Sequence, residues 1–231
     1  MPIQFKMFEE AIGLHFKNKK LLEQAFTHRS FINEHKRLKL EHNERLEFLG
    51  DAVLELITTE YLYEKYPDRT EGDLTSYRSA LVNANTLSDI AKKMGVDTYL
   101  LLSKGESKDT GRARQYILAN TFEALVGAIF LDQGYDVARH FISENLFPLT
   151  DTIVSEKLWL DAKSHFQEKA QEMANVTPSY RTMSEVGPDH DKYFTVAVFL
   201  GDKLIAEGEG KSKQDAEQSA ARNGLEKKGW L

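Results

Sequence analysis

From the first residues to about Leu149, apolar positions recur at spacings of three and four, with Met7, Ile12, Leu14, Leu21, Leu22, Ala25 and Phe26 setting the pattern. A 3.6-residue period gathers such positions on one face of a helix, and strand-like alternation is scarce here. The pattern therefore predicts an all-helical region. It breaks at Tyr66-Pro67-Asp68 with Gly72, at Lys93-Met94-Gly95, from Gly105 to Gly111, and at Gln133-Gly134, where helix-stopping residues cluster. After Pro148 the periodicity loosens, and the polar stretch Thr150 to Lys157 suits a linker. From Asp161 the character changes. A helix over about Ala162 to Ala174 precedes three alternating segments, Tyr180 to Val186, Tyr193 to Leu200 and Lys203 to Gly210, and a closing helix runs from about Ser212 to Lys228. Gly187-Pro188-Asp189 separates the first two segments, and Gly201-Asp202 forms a two-residue hairpin loop between the last two. The expected organisation is an N-terminal all-α domain over 1–150, a linker over 151–160, and a C-terminal α+β domain of order αβββα over 161–229.

Composition narrows the chemistry. With no cysteine, disulfides, zinc fingers and thiol nucleophiles are excluded together, so a metal would need oxygen or imidazole ligands, which favours a hard cation such as magnesium. The longest apolar run, Ala124 to Leu131, is too short to span a bilayer, and no signal-like start is present. A cytoplasmic protein without a membrane partner is expected. The formal net charge of −6 argues against a polyanionic partner unless basic groups are concentrated locally.

Two segments carry candidate chemistry. In His42-Asn43-Glu44-Arg45-Leu46-Glu47-Phe48-Leu49-Gly50-Asp51, Asn43 is a candidate helix cap. Glu44, Glu47 and Asp51 then fall within about 60° of one another on the helix surface. Three like charges on one face destabilise a helix unless something cationic sits among them; a solvated acidic face beside Arg45 is the alternative. Glu55, one turn further on, is assigned to that solvated face. In the second segment, Ile117 to Leu131, Glu123 is the sole ionisable side chain in a helix apolar nearly all round, which predicts burial. A buried carboxylate must be protonated, paired or bound to a metal, and an arginine partner is as consistent with the pattern as a metal. Asn120 lies one turn earlier on the same side. If the two helices pack, Glu47, Asp51, Asn120 and Glu123 form an oxygen cage suited to magnesium.

The run HNERLEFLGDAVL is similar to the signature of the ribonuclease III family, and ILANTFEALVGAIFLDQG resembles that family's second active-site segment. Thr27-His28-Arg29-Ser30 and Glu71-Gly72-Asp73-Leu74-Thr75 add to the likeness, which covers almost the whole chain in the short two-domain form typical of bacteria. The resemblance implies a homodimer formed through the N-terminal domain, cleaving double-stranded RNA to 5'-phosphate and 3'-hydroxyl ends in RNA processing and turnover. Magnesium, with manganese as a substitute, is the implied cofactor. Glu47, Asp51 and Glu123 correspond to the family's metal-binding and catalytic acids, Glu44 to a supporting acid, and His28 to a structural residue. Asn120 departs from the pattern, because the family has aspartate there. An amide oxygen still coordinates magnesium, but it carries no charge. A copy that grips duplex RNA while cleaving it poorly is therefore the competing expectation; a hydrolase of small phosphorylated molecules would leave the C-terminal module unexplained.

The αβββα segment resembles a double-stranded-RNA-binding domain. By that likeness Gln167 and Glu168 on its first helix face the 2'-hydroxyl-lined minor groove, His190 lies in a loop entering a neighbouring groove, and Lys211, Ser212 and Lys213 meet phosphate at the start of the last helix. Gln214 stands where the family usually has a second adjacent lysine.

Overall fold

The computed structural model describes residues 5–188 and 192–230, which fall into two compact units, 1–159 and 160–231. The first unit is helical. Its short helices α1 (Phe5–Ala11), α2 (Lys19–Ala25) and α3 (Arg29–Glu34) lead to α4 (Glu44–Lys65), α5 (Glu71–Leu81), α6 (Ala84–Lys93), α7 (Arg112–Gln133), α8 (Tyr135–Asn145) and α9 (Thr150–Ser155). Several boundaries have a local cause. Pro67 follows directly on Tyr66, the C-cap of α4. Thr70 and Asp73 close a reciprocal capping box on α5, Asn83 accepts from Thr86 N at 3.0 Å at the head of α6, and Gly134, at φ +88°, turns the chain from α7 into α8.

α7 is the central element, packed by α2, α4, α6 and α8. Leu118, Phe122, Leu125, Val126 and Ile129 are fully buried, joined by Leu54 and Ile57 from α4. Each such side chain contributes about 1.5–3 kcal/mol of transfer free energy. The largely apolar sequence of α7 thus reflects packing by other helices on most of its sides.

The stretch expected as a linker is partly folded. α9 occupies Thr150–Ser155, with Ile153 buried and the helix packed on α5. Lys65 Nζ donates to Asp151 at 2.6 Å, and Trp159 packs edge-on to Tyr77 at 5.0 Å. One turn with so few apolar anchors is too short to set a legible period, and tertiary packing supplies its stability. No helix among the described residues is long and apolar enough to cross a membrane.

The second unit runs α10 (Ala162–Ala174), β1 (Pro178–Val186), β2 (Tyr193–Leu200), β3 (Lys203–Gly210) and α11 (Lys213–Lys228). The strands form an antiparallel sheet in the order β1-β2-β3. Leu200 pairs with Lys203 across the Gly201-Asp202 turn, with Gly201 at φ +59°. α10, the sheet and α11 enclose a separate core of Phe166, Val198, Ile205, Ala220, Ala221 and Leu225. α11 lies directly on the backbone of β3. A Cβ on Gly208 would stand 2.0 Å from Ala220 N, so only glycine permits that approach.

Candidate functional site

The two acid-bearing segments meet because α4 and α7 cross at backbone contact. A Cβ on Gly50 would lie 1.7 Å from the Glu123 carbonyl oxygen, and one on Gly127 would lie 2.3 Å from the Leu46 carbonyl oxygen. Each glycine costs its helix about 0.8–1 kcal/mol relative to alanine. The return is an approach that no side chain allows. On one flank of this crossing α4 carries Glu47, Asp51 and Glu55, and α7 carries Asn120 and Glu123.

The electrostatics follow from that proximity. Burial, followed by the charges of Asp51, Glu47 and Glu55, pushes the Glu123 carboxyl up to about 8. Burial and Glu44 raise Glu47, the Asn120 amide opposes part of that shift through a hydrogen bond to the charged form, and Asp51 adds to the rise. No ion pair reaches Glu47, Asp51, Glu55 or Glu123 among the described residues. The arginine partner left open by the sequence is therefore not found there.

The closed oxygen cage is not seen either. Among the described residues, no three histidine, aspartate or glutamate side chains converge closely enough to hold a metal ion. As a donor set these groups nevertheless fit a hard divalent cation, being all-oxygen and carrying an excess of negative charge that no cationic side chain offsets. Glu123 is only partly buried, less than the burial its apolar helix predicts. Phe122 and Ala124 on either side of it are enclosed at 0% exposure, while Glu123 sits at the rim of the crossing.

Glu44, whose charge raises Glu47, differs from the other acids in having cationic neighbours, with Arg29 Nη1 at 3.4 Å and His42 Nδ1 at 3.8 Å. Asn43 precedes α4 but makes no side-chain cap. Its amide instead donates to Ala25 O at 3.2 Å, and its backbone N–H donates to Thr27 O at 2.9 Å. The unsatisfied carbonyl at the end of α2 takes the group that the local capping rule assigned to α4. His28 caps α3, with Nδ1 2.8 Å from Ser30 Oγ, and burial holds its pKa below the ordinary imidazole value.

In the second unit Gln167 and Glu168 are exposed on α10, and Lys211 and Lys213 are exposed at the head of α11. Ser212 is the N-cap of α11; its hydroxyl accepts from Asp215 N at 3.1 Å. Lys213 Nζ lies 5.7 Å from the Phe194 ring centroid. His190 lies outside the described residues. Sequence reasoning missed the spacer role of Gly50 and Gly127 and the influence of Glu55 on Glu123. The second was available as the helical i+4 spacing from Asp51.

Two family profiles match the chain: Ribonuclease-III-like over residues 18–150 and double-stranded RNA binding motif over residues 162–228. The fold is thus that of a two-domain protein, a helical ribonuclease-III-like domain followed by a double-stranded-RNA-binding motif. Ribonuclease 3 of Bdellovibrio bacteriovorus is 46% identical over 224 residues, spanning 96% of this chain and 95% of its own length. Ribonuclease 3 of Streptococcus gordonii is 47% identical over 218 residues, 94% of each chain. The nuclease domain of ribonuclease III from Campylobacter jejuni, whose structure concerns flexibility in a region involved in dimer formation, superposes with a TM-score of 0.56 at 39% identity. That match covers 63% of this chain and 99% of the other. The chain belongs to the ribonuclease III family.

Proposed function

We propose that the chain is a double-stranded-RNA-directed endoribonuclease, with the helical domain cutting and the C-terminal domain gripping the duplex. The observation that carries this reading is the crossing of α4 and α7, where Gly50 and Gly127 bring Glu47 and Asp51 beside Asn120 and Glu123 with no cationic side chain to neutralise them. Magnesium, replaceable by manganese, supplies Lewis acidity and charge neutralisation at the phosphodiester when bound by those four residues. Hydrolysis adds water at phosphorus and breaks the bond to the 3' oxygen, which leaves with a proton, giving 5'-phosphate and 3'-hydroxyl ends. Glu123 must lose its proton to serve as a ligand. Glu44, paired with Arg29, adds to the charge around Glu47 and acts as a supporting acid. Gln167, Glu168, Lys211, Ser212, Lys213 and His190 serve the duplex, and two copies of the chain associate through the helical domain.

Asn120 supports a second reading, a duplex-RNA-binding protein without effective cleavage. Its neutral amide leaves three carboxylates where a fourth would strengthen cation binding. The two readings separate in a single-turnover cleavage assay on long duplex RNA across a magnesium titration. The chain is expected to cut slowly, Asn120→Asp to cut faster and at lower magnesium, and Glu123→Gln to bind RNA without cutting. If Asn120→Asp gains nothing at any metal concentration, Asn120 is not a ligand. If neither form cuts, the endonuclease reading fails.

A further inference from the structure

The two contact sets of the second unit sit on different helices, Gln167 and Glu168 on α10 and Lys211 and Lys213 at the head of α11. A duplex presents its grooves and phosphates at fixed intervals, so the span between the two sets matters as much as either set alone. Apolar packing does little to fix that span. Apart from Phe166, the buried side chains in the first two turns of these helices are alanines, Ala162 on α10 and Ala216 and Ala220 on α11. Such small side chains make shallow ridges that offer little resistance to sliding.

A polar clamp joins the helices instead. Gln218 of α11 spans the first turn of α10: its Nε2 donates to Asp161 Oδ1 at 2.8 Å, and its Oε1 accepts from Lys163 N at 3.3 Å. Asp161 is the N-cap of α10 and also accepts from Ser164 N at 3.3 Å, while Lys163 N is one of the first-turn donors that a helix cannot satisfy internally. α11 thus completes the cap of α10. Beside it Lys163 Nζ donates to Glu217 Oε2 and lies 5.0 Å from the centroid of the Tyr180 ring on β1. The two charged side chains remain 35% and 29% exposed, so water screens the pair and it adds little to stability. Its effect is directional. Lys163 precedes Gln167 by one helical turn and Glu217 follows Lys213 by one turn, so the clamp ties the helices together one turn inside each contact set.

We infer that Asp161, Lys163, Glu217 and Gln218 are positioning residues for duplex recognition, fixing the register of α10 on α11 and with it the span from Gln167 and Glu168 to Lys211 and Lys213. The inference rests on the proposed function and adds to it a source of specificity. With the span fixed, both contact sets meet an A-form duplex at once, whereas the different groove geometry of B-form DNA leaves one set unpaired. The four residues act through the helices, without touching RNA.

The test uses the full chain without metal, duplex RNA and duplex DNA of one length, and a salt series. Glu217→Gln removes a negative charge and releases Lys163 from its partner, so electrostatics alone would tighten the grip on either polyanion. A lost register predicts the opposite sign. Duplex-RNA affinity should fall by about fivefold or more, the scale of coupling within one polar network, while DNA affinity holds or rises. The RNA salt slope should not shrink, because no phosphate contact is removed. Gln218→Leu, which cuts the second link without changing charge, should also lower the RNA-to-DNA affinity ratio. Glu226→Gln removes the same charge from an exposed position farther along α11 and should leave RNA affinity level or raise it. Affinities are taken at a temperature where circular dichroism shows each protein fully folded, so that a loss of stability alone leaves them unchanged. Unchanged or tighter RNA binding by Glu217→Gln, an unchanged ratio for Gln218→Leu, or equal losses for RNA and DNA would overturn the inference and leave the proposed function standing. If the unchanged chain binds duplex RNA no better than duplex DNA, the functional reading itself fails, and the clamp with it.

Discussion

At the scale of single residues, burial and three neighbouring carboxylates act on Glu123 in the same direction, pushing it up to about 8 from a model-peptide value of 4.5. The folded state therefore keeps a proton that the unfolded chain releases. Below about pH 4.5 both states are protonated and this group contributes nothing to the pH dependence. Between there and about 8 the unfolded state binds fewer protons, so stability falls as pH rises; above 8 the loss is complete. Without metal, the thermal midpoint should decline across that window, and Glu123→Gln should flatten part of the decline. Magnesium should stabilise the unchanged chain more at pH 8.5 than at pH 6, because the carboxylate must be deprotonated to bind it. Identical pH profiles for the two proteins would show that Glu123 is not held protonated. The cost of Glu123 was legible in the sequence, as one ionisable residue in an apolar helix. Its partial exposure was not, because that depends on which face of α7 the neighbouring helices leave open. Asn43 was misread for a related reason: a capping rule sees only adjacent residues, whereas Ala25 O comes from another helix.

At the scale of elements, the spacing of the site is set by two glycines that look like defects in their own helices. Helix breaks and strand limits were readable from local signals, since proline, glycine and the Gly201-Asp202 turn act on their immediate neighbours. A backbone crossing has no such signal, because the reason for Gly50 lies on α7 and the reason for Gly127 lies on α4. Gly50→Ala gains about 0.8–1 kcal/mol of helix propensity but places a Cβ 1.7 Å from the Glu123 carbonyl oxygen. Overpacking of that kind costs about 1–3 kcal/mol or more, and rigid backbone cannot give way as a side-chain tip can. Gly50→Ala should therefore lower the urea midpoint and, by pushing the helices apart, slow cleavage. Gly72→Ala is the control. Its Cβ would meet nothing nearer than Thr70 Oγ1 at 3.9 Å, so its midpoint should hold or rise. A Gly50→Ala protein as stable and active as the original would remove the crossing from the account of the site.

For the whole molecule, net charge was the least informative quantity, because the exposed cations at the start of α11 are averaged away against acids elsewhere. Exposed apolar surface is more specific. Phe48, Leu56 and Tyr63 stand 82%, 59% and 74% exposed along α4, and Phe48 borders a recess whose apolar wall is Leu21, Leu46, Leu49 and Leu131, with Glu41, His42, Glu44 and Arg45 also lining it. A projecting ring next to an apolar recess is what a two-fold interface requires, since each copy then offers both the group and its receptor. Burying an aromatic side chain removes about 150–250 Å² from water, whereas a carboxylate placed at a contact between two copies would have to be desolvated. Phe48→Asp should therefore convert a dimer to a monomer in sedimentation velocity at micromolar protein. Phe48 lies outside the core, so the variant should keep its fold and the Glu123-linked pH profile. The separate core around Phe166 and Leu225 should preserve duplex-RNA binding, although with a weaker apparent affinity once only one C-terminal domain is present per particle. Cleavage should lose the paired cuts on opposite strands that two sites in one dimer produce. If the unchanged chain already sediments as a monomer, or Phe48→Asp remains a dimer, the helical domains do not associate through this stripe.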